Sequence, residues 1–439
     1  MGRKPLAAVL TLGCKLNLAD SEEIARGLRT AGFDVVDRMC EADAFVVNTC
    51  SVTHVADRKS RKLIRSVRRM SPGAAVALTG CYPQSAGFVA MEELGADLVV
   101  GTRDGDKARL VAFLGERVGG EGAGLMETPA ATEGRDSLAP GYLHSRVFVK
   151  AQEGCNDLCA FCIVPRTRGR EESRSVERVA AEVNLAVEAG AKEVVITGTQ
   201  LGAWGRDLES PLKPHDLIGG ILERTEVARL RFSSLQPQDI TPELLALWED
   251  PRVMPHFHLA LQSGSETTLG RMRRRYTAHE FRRAAERIRA AVPDVAITTD
   301  VIAGFPGESQ AEFEDTLALC EEAGFARIHA FPYSQRSRTA AALMNEQVAA
   351  SVRQERMARL LELAATLSVR FMERFAGAIR PVLWEEERAR AGEALWWGYT
   401  DNYIPVLAEG KSLANRITPV QLGEVYDEGV RGRFPAGDR

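Results

Sequence analysis

The segment EGCNDLCAFCIVP, residues 153–165, places three cysteines within eight residues: Cys155, Cys159 and Cys162. It follows the strand-like run RVFVKAQ, so we expect the three thiols at the carboxyl end of a strand. A structural zinc site is normally closed by four ligands from paired motifs, but the chain has no second C-x2-C pair and no histidine directly beside this one. Three thiolates can hold an iron–sulfur cube and leave one iron open to a further ligand. The spacing C-x3-C-x2-C therefore favours an iron–sulfur cluster over zinc.

Strand-like and helical stretches alternate six times between about residues 146 and 345 around this segment. Right-handed crossovers between parallel strands leave the helices outside. Six such units predict a parallel sheet curled into a partial (β/α)6 barrel. A long helical run at 347–376 follows, and we assign the barrel and this helix to one domain, residues 142–376. The strand candidates are RVFVKAQ, EVVITG, RLRFSSL, HFHLALQ, AITTDVIAG and RIHAFPYS.

Residues 1–115 alternate apolar strand-like runs with helical stretches and predict a small α/β domain with a parallel sheet. Three of these runs end alike, in VLTLGC, FVVNTC and VALTGC, which deliver Cys14, Cys50 and Cys81. Because the carboxyl ends of parallel strands meet at one edge of a sheet, we expect these thiols to share a site for a second iron–sulfur cluster. The alternative is three independent buried cysteines. The two cysteines that lack this context are interpreted as structural: Cys40 and Cys320.

At 439 residues the chain is long enough for two to four domains, and its composition, 45% hydrophobic and 26% charged, is typical of globular proteins. Together with the alternation of strands and helices, this predicts an α/β multidomain protein. Residues 116–141 are rich in Gly, Ala and Glu and predict a linker, while short strand-like pieces in 377–439 predict a small β-barrel. The apolar run at the N-terminus is too short for a signal peptide, and no stretch has membrane-spanning length. We therefore predict a cytoplasmic protein without a membrane partner, where cysteines favour metal or redox chemistry over disulfides.

The net charge of −4 argues against a uniformly basic nucleic-acid binder but allows local basic faces. Residues 57–69 place several cations on one side of a predicted helix, and residues 271–289 form a second basic concentration. Such a run is usually a solvated helix face, and contact with RNA phosphates is the alternative. The cations of the first helix are Arg58, Arg61, Lys62, Arg65 and Arg69.

The C-x3-C-x2-C loop after the first strand of a partial barrel resembles the radical S-adenosylmethionine (SAM) superfamily. The resemblance implies that SAM chelates the open iron of a [4Fe–4S] cluster on Cys155, Cys159 and Cys162, and that one electron from the cluster releases a 5′-deoxyadenosyl radical. Sites of this architecture lie at the carboxyl ends of the strands, so we expect the cosubstrate contacts there. The candidates are Thr197, Gly198, Gln200, Ser233, Ser234, Gln262, Asp300 and Gly304 at strand ends, and Arg168 after the cluster loop.

The order of the three predicted domains resembles the methylthiotransferases, a radical SAM family, over nearly the whole chain. The resemblance implies a second [4Fe–4S] cluster on Cys14, Cys50 and Cys81 that carries or relays sulfur, and a C-terminal TRAM-like barrel that binds RNA. It also implies that one SAM supplies a methyl group and another supplies the radical that abstracts hydrogen from an unactivated C–H bond. The segments that carry the resemblance are LGCKLN, NTCSVTHVADRKSRKLIR, TGCYPQ, EGCNDLCAFCIVPRTRG, LQSGSETTLGRMRRRYT and DVIAGFPGESQAEFEDTL.

Within this family the chain looks most like the branch that inserts a CH3S group at C2 of N6-threonylcarbamoyladenosine at position 37 of tRNA, beside the anticodon. The similarity lies in NTCSVTHVADRKSRKLIR, CYPQ and HAFPYSQRSRTAA. The chain departs from that branch at NLAD (17–20) and at Arg338, where a glycine is usual. The alternatives are a methylthiotransferase for N6-isopentenyladenosine in tRNA or for a ribosomal-protein aspartate, and a radical SAM RNA methylase without the second cluster.

The resemblance also implies partners besides tRNA: an electron donor such as flavodoxin or ferredoxin, and a sulfur source. The TRAM-like tail contains an aromatic cluster whose rings could stack on bases or form the core of the barrel. These aromatic residues are Trp396, Trp397, Tyr399 and Tyr403.

Overall fold

The structure is a computed structural model that describes residues 3–118, 145–390 and 392–435. The N-terminal domain contains, in chain order, β1 (Leu6–Thr11), α1 (Lys15–Thr30), β2 (Asp34–Val36), β3 (Ala44–Thr49), α2 (His54–Met70), β4 (Ala75–Gly80), α3 (Cys81–Ala86), α4 (Phe88–Glu92), β5 (Leu98–Val99) and α5 (Asp104–Val118). Its strands form one parallel sheet in the order β2-β1-β3-β4-β5. The predicted parallel sheet is confirmed, with β2 as an additional edge strand. The predicted linker at 116–141 begins inside α5, and from residue 119 onward it lies outside the described residues.

Helices cover both faces of this sheet, so its central strands β3 and β4 are buried along their whole length. One apolar cluster joins the sheet to α1 and α5 through Leu28 and Leu114. A second cluster on the opposite face joins it to α2 through Ile64 and Val67. Strands buried on both faces are apolar throughout rather than alternating, which is why AFVVNT and AVALTG could be recognised as strands.

The central domain is a partial barrel of six parallel strand segments, in the spatial order first to sixth along the chain. The third segment is interrupted at Ser233, which divides the sheet into a three-stranded and a four-stranded part. The predicted partial (β/α)6 barrel is confirmed. Its elements are β6 (Arg146–Lys150), β7 (Gln152–Glu153), α6 (Val164–Thr167), β8 (Glu172–Ser173), α7 (Val176–Glu188), β9 (Glu193–Thr197), α8 (Pro214–Arg224), β10 (Arg229–Phe232), β11 (Ser234–Leu235), α9 (Pro242–Ala246), β12 (His256–Leu259), α10 (Glu266–Arg271), α11 (Ala278–Ala291), β13 (Ala296–Ala303), α12 (Gln310–Ala323), β14 (Arg327–Pro332) and α13 (Ala350–Glu373), with 3-10 turns at Leu201–Ala203, Pro237–Asp239, Leu247–Glu249 and Ala340–Leu343.

The two edge strands of the partial barrel are both covered. Helix α1 of the N-terminal domain packs on the edge strand β6, and α13 packs on the edge strand β14. Covering an edge removes a row of unpaired backbone groups that would otherwise pair with another chain. Neither α13, with 24 residues, nor any other helix of the described ranges is long and apolar enough to cross a membrane.

The C-terminal domain is a closed barrel, as the sequence predicts. Its strands pair in a ring in which each strand has two neighbours, so the strands within the described residues leave no free edge. The strands are β15 (Ile379–Arg390), β16 (Glu393–Thr400), β17 (Pro405–Ala408), β18 (Ile417–Tyr426) and β19 (Gly429–Arg433).

The C-terminal barrel packs on the amino-terminal ends of the central strands through Tyr403. The centroid of its ring lies 4.6 Å from that of His256 and 4.8 Å from the Arg231 guanidinium carbon. Arg231 is buried and forms an ion pair of 2.7 Å with Glu193 at the start of β9. Trp397 is also buried, at 2% exposure. Trp397 therefore belongs to the core of the barrel, and Tyr403 packs half-buried against the central domain; base stacking by the aromatic cluster stays a prediction.

Replacing Glu193 with Gln leaves the buried Arg231 guanidinium without its anionic partner. Breaking a buried ion pair in this way costs about 3–5 kcal/mol. We therefore expect the thermal unfolding midpoint, followed by circular dichroism, to fall by roughly 10 °C. The control is Glu209→Gln in an exposed loop, which should shift the midpoint by no more than about 2 °C. A Glu193→Gln variant with the parental midpoint would contradict the prediction.

Candidate functional site: two three-cysteine sites

Three strands of the N-terminal sheet deliver Cys14, Cys50 and Cys81 to the same edge. Cys14 directly precedes α1, Cys50 follows β3, and Cys81 begins α3. A Cβ atom added to Gly13 would lie 3.0 Å from the Cβ of Cys50. Burial, and after it the neighbouring thiols of Cys81 and Cys14, raise the pKa of Cys50 to about 11. The structure thus brings together the three cysteines that the sequence assigns to one site, with Cys14 exposed and the other two buried.

A glycine before the third cysteine allows this convergence. Gly80 has a φ of +97°, and a Cβ atom added to it would overlap the backbone of Thr49 at the end of β3. Only a residue without a side chain lets the ends of β3 and β4 approach so closely. The glycine in the sequence VALTGC is therefore part of the cysteine site, because it places Cys81 beside Cys50.

The second group, Cys155, Cys159 and Cys162, lies in the loop between β7 and α6, after the first barrel strand. The loop is folded on itself, since the backbone N–H of Cys162 donates to the carbonyl of Cys159 at 3.1 Å. Arg274, which follows α10, donates from Nη1 to Cys159 Sγ at 3.1 Å. Donors directed at sulfur stabilise thiolate ligands. Arg274 was not recognised from the sequence, because it lies in the basic run RMRRRYT and resembles a surface charge there.

Both groups have the donor set of an iron–sulfur cluster. Burial raises the pKa of Cys155 to about 11 and of Cys162 to about 12, so these thiols stay protonated at neutral pH until a metal displaces the proton. Within residues 3–118, 145–390 and 392–435, no three or more His, Cys, Asp or Glu side chains surround the position of a single metal ion. A four-iron cube is wider than one ion, so its three ligands need not converge on a point. Three thiols in each group are the number of ligands with which a chain can hold a cube that keeps one iron open.

Five of the predicted cosubstrate contacts lie together at the ends of the second and third barrel strands. The hydroxyl oxygens of Ser233 and of the neighbouring Thr199 are buried and have no hydrogen-bond partner within the described part of the chain. Buried hydroxyls are normally paired, so two unpaired ones at adjacent strand ends support a polar ligand at this position. Thr199 itself was not predicted. The five residues are Thr197, Gly198, Gln200, Ser233 and Ser234.

Gln262 and Asp300, predicted for the ends of the fourth and fifth strands, are neighbours. The backbone N–H of Gln262 donates to the carbonyl of Asp300 at 2.8 Å, and Gln262 has an unusual φ of +66°. Burial would raise the pKa of Asp300, but the hydrogen bond and charge of His258 hold it below its usual value. The His258 Nε2 atom lies 3.3 Å from the Asp300 carboxylate. His258 was not predicted, although the alternation in HFHLALQ places it on one face with His256.

Two predicted cosubstrate contacts, Gly304 and Arg168, stand at the predicted positions and pack against other parts of the chain. The side-chain space of Gly304, which has a φ of +74°, is filled by Arg353 of α13, so helix packing explains this glycine. Arg168 is buried and directed into the N-terminal domain, where it donates to Asp20 at 3.0 Å and also to Glu153 at 2.8 Å. Its guanidinium is therefore committed to this joint between domains rather than to the carboxylate of a cosubstrate.

The outer face of α2 carries a cationic groove with a cavity of about 600 Å³, lined by six basic side chains and Leu94. Arg61 is held by the Tyr82 hydroxyl at 2.8 Å. Arg68, which the sequence prediction did not include, is held by the carbonyl of Ala74 at 2.7 Å. The exposed cations follow the helical repeat along one stripe and are Arg58, Lys62, Arg65 and Arg69.

Two protein-family models match the chain: the uncharacterized protein family UPF0004 at residues 7–101 and the radical SAM superfamily at residues 149–320. Among solved structures, the fold is similar to a radical SAM methyltransferase, TsrM, from Kitasatospora setae. The TM-score is 0.53 at 14% identity, and the match covers 86% of this chain and 81% of that one. The fold and the C-x3-C-x2-C loop together define a radical SAM protein.

Comparison with curated relatives shows to which family of radical SAM proteins the chain belongs. A threonylcarbamoyladenosine tRNA methylthiotransferase of Bacillus subtilis is 36% identical over 429 residues, covering 95% of this chain and 94% of the relative. A tRNA-2-methylthio-N(6)-dimethylallyladenosine synthase of Syntrophomonas wolfei is 34% identical over 447 residues, covering 97% and 99%. The chain belongs to the radical SAM methylthiotransferase family, as its motifs indicate. Membership implies [4Fe–4S] clusters and SAM as cofactors.

A Cys155/Cys159/Cys162→Ala triple variant should retain one of the two clusters after anaerobic reconstitution. We expect about four irons and about four sulfides per chain, the content of one cube, against about eight of each in the parent. The remaining cluster is then held by the N-terminal cysteines. Iron and sulfide assays check this, and a triple variant with essentially no iron would show that the N-terminal cysteines hold no cluster.

The matched control for this experiment removes the two cysteines outside both sites. A Cys40→Ala/Cys320→Ala double variant should keep about eight irons per chain. The reciprocal variant, Cys14/Cys50/Cys81→Ala, should keep about four, now at the barrel loop. A control that loses iron to the same extent as the triple variants would show that general destabilisation, and not ligand loss, explains the result.

Proposed function

We propose that this chain is a cytoplasmic tRNA methylthiotransferase that places a CH3S group at C2 of N6-threonylcarbamoyladenosine at position 37. The observation that carries the proposal is the second three-cysteine site, in a chain of this family. A radical SAM methylase uses the barrel site alone. An enzyme that inserts sulfur also needs a site that carries or relays the sulfur, and the second group of three cysteines can provide it. We assign one [4Fe–4S] cluster to each site, and the ligands are Cys155, Cys159 and Cys162 in the barrel and Cys14, Cys50 and Cys81 in the N-terminal domain.

SAM bound to the open iron of the barrel site would supply the 5′-deoxyadenosyl radical. A radical is required because the C2–H of an adenine is too weakly acidic for the bases that a protein offers. The chain's own residues bind and orient the cosubstrate: the unpaired hydroxyls of Thr199 and Ser233 and the ionised Asp300 are available to its polar groups. A cosubstrate bound at these strand ends would need protection from water, because water exclusion prevents side reactions of a radical.

Two segments that resemble the threonylcarbamoyl branch contact each other in the folded chain. Arg336, from HAFPYSQRSRTAA, donates from Nη1 to Asp57 at 2.6 Å and from Nη2 to the Ser51 hydroxyl at 2.9 Å. Both acceptors belong to NTCSVTHVADRKSRKLIR, and Ser51 directly follows Cys50. The features that favour this branch thus form one wall beside the N-terminal cysteine site, which supports a role in substrate choice.

Relatives named for threonylcarbamoyladenosine include the proteins of Bacillus subtilis and Thermotoga maritima, at 36% and 35% identity. The relative from Syntrophomonas wolfei, named for dimethylallyladenosine, has 34% identity. The second candidate function is therefore methylthiolation of isopentenyladenosine, also called dimethylallyladenosine, in tRNA. Because this chain is almost equally identical to both kinds of relative, the substrate has to be determined by direct assay.

The proposed reaction also defines the partners. Reductive cleavage of SAM consumes an electron, for which we propose flavodoxin or ferredoxin as the donor. Each product removes one sulfur atom, so a sulfur source has to restore the N-terminal site. We propose that tRNA phosphates bind the cationic groove on α2 and that the C-terminal barrel is a TRAM-like domain that contributes further RNA contacts.

The substrate assignment is tested with reconstituted enzyme, SAM and a chemical one-electron reductant. We expect tRNA carrying threonylcarbamoyladenosine to yield the 2-methylthio nucleoside, detected by mass spectrometry after digestion. The yield from tRNA carrying isopentenyladenosine should be at least about tenfold lower, because a site for the polar group rejects an apolar one. Faster conversion of isopentenyladenosine would overturn the branch assignment. A methylated product without sulfur would overturn the methylthiotransferase proposal itself.

Neutralising two exposed groove cations, Arg58→Gln and Arg65→Gln, should weaken tRNA binding. Each phosphate contact contributes roughly 0.7–0.9 to the slope of log K against log salt. We therefore expect the slope to fall by roughly 1–2 in filter-binding titrations between 50 and 200 mM salt. The matched control is Arg109→Gln with Arg117→Gln, two exposed cations of α5, which packs on the opposite face of the N-terminal sheet from α2. An equal loss in both variants would show that overall charge, and not the groove, determines the affinity.

A further inference from the structure

The basic run RMRRRYT, residues 271–277, lies against the cysteine loop of the barrel. The backbone N–H of Ala160 donates to the carbonyl of Met272 at 2.9 Å. Arg275 lies 2.9 Å from the carboxylate of Asp157. Both partners in the loop lie within two positions of Cys159, so the run is fixed along this part of the loop.

The end of helix α10 places the run there. Arg273 has a φ of +58°, and the N–H groups of Arg273 and Arg274 donate to the carbonyls of Gly270 and Leu269, each at 3.0 Å. These two bonds form the Schellman motif that ends many helices. The chain turns there in such a way that Arg273 is exposed and Arg274 is half-buried. The side chain of Arg274 is therefore available to the cysteine loop.

Arg274 differs from its neighbours in its partners. Arg271 and Arg275 each form an ion pair with a carboxylate, at 2.7 and 2.9 Å. Among the described residues no carboxylate lies within ion-pair distance of Arg274, and its Nη1 atom donates instead to Cys159 Sγ at 3.1 Å. A cation withdrawn from water normally needs an anionic partner. Three thiolate ligands bring negative charge to this loop when a cluster binds, so the cluster site supplies the partner that Arg274 lacks.

Tyr276 holds the guanidinium of Arg274 in this position. The Nε atom of Arg274 donates to the Tyr276 hydroxyl at 3.1 Å, and the guanidinium carbon lies 4.8 Å from the centre of the ring. The hydroxyl in turn donates to the carbonyl of Leu261 at 2.9 Å, just after β12. Because the guanidinium is planar and rigid, a fixed Nε atom also fixes the direction of Nη1 towards the sulfur.

The contact with Cys159 does not depend on the proton of the thiol. The N–H group of Arg274 is the donor and the sulfur is the acceptor, so the hydrogen bond persists when Cys159 becomes a thiolate ligand. A charged donor strengthens such a bond. Hydrogen bonds to the sulfurs are among the factors that set the reduction potential of an iron–sulfur cluster.

We propose that Arg274 is a positioning residue of the barrel's iron–sulfur site, where its guanidinium orients Cys159 and raises the reduction potential of the cluster. This inference rests on the proposed function, because it requires a cluster on Cys155, Cys159 and Cys162. A positive charge and a hydrogen bond beside a thiolate ligand stabilise the reduced cluster, which carries one more negative charge. The proposed electron donor then reduces the cluster more readily.

The test uses the Cys14/Cys50/Cys81→Ala chain, in which the barrel cluster is observed alone. Arg274→Gln in this background should keep about four irons and shift the midpoint potential, measured without SAM by an EPR-monitored redox titration, to a more negative value. The matched control is Arg273→Gln, because Arg273 is exposed and its side chain makes no ion pair or hydrogen bond with the described residues. Its midpoint potential should remain at the value of the background chain.

The outcomes separate this inference from the proposed function. A background chain without iron would contradict the proposed barrel cluster, and the inference would fall with it. A background chain with iron would overturn the inference alone in either of two cases: Arg274→Gln keeps or raises the midpoint potential, or Arg273→Gln lowers it equally.

Arg274→Lys decides if Arg274→Gln holds no iron. Lysine keeps the charge but lacks the fork that binds Tyr276 and Cys159 together, so a negative shift of the midpoint potential supports the inference and any other result overturns it. If Arg274→Lys holds no iron either, thermal unfolding of the two variants distinguishes the causes. An unchanged unfolding midpoint supports a role at the cluster, and a lowered one shows a general structural role and overturns the inference.

Discussion

The joint between the N-terminal domain and the barrel depends on one buried carboxylate, that of Asp20. Burial alone would raise its pKa, but Lys150, Arg168 and Lys107 outweigh burial and hold the pKa well below its usual range. The cations come from both domains, since Lys107 lies on α5 and the other two belong to the barrel. Removing one partner from such a buried group costs about 3–5 kcal/mol. The domains therefore cannot slide past each other without breaking these pairs, and their relative position is fixed.

This joint connects the segments that carry the two cysteine sites. Both domains contain parallel sheets, and each sheet presents its cysteines at the carboxyl ends of its strands. Asp20 lies in α1, the helix that follows Cys14, and Glu153 lies just before Cys155. The ion pairs that connect these two carboxylates through Lys150 and Arg168 thus join the chain immediately beside one cysteine of each site. Two independent sheets, each with a local rule for placing thiols, are thus joined through this contact.

The features that depend on local backbone could be predicted from the sequence. Apolar runs that end in a cysteine predicted both the strands and the edge where Cys14, Cys50 and Cys81 converge. The direction of long side chains could not be predicted, because it depends on distant partners. Arg168 binds Asp20, which lies 148 positions away in sequence, and Tyr403 packs on a histidine of another domain. The break in the third barrel strand at Ser233 was also missed, because RLRFSSL has no residue that excludes a continuous strand.

A second buried arginine completes the attachment on the side of Cys50. Arg336 comes from the loop after the last barrel strand and binds Ser51 and Asp57 of the N-terminal domain, whereas Arg168 comes from the loop after the first. The barrel therefore holds the N-terminal site from both ends of its own sheet. Reacting groups have to lie within about 3–3.5 Å, and an error of about 1 Å can lower a rate about 100-fold. Two attachments from opposite ends prevent rotation about either one, so the folded chain itself fixes the geometry between the two cysteine-bearing domains.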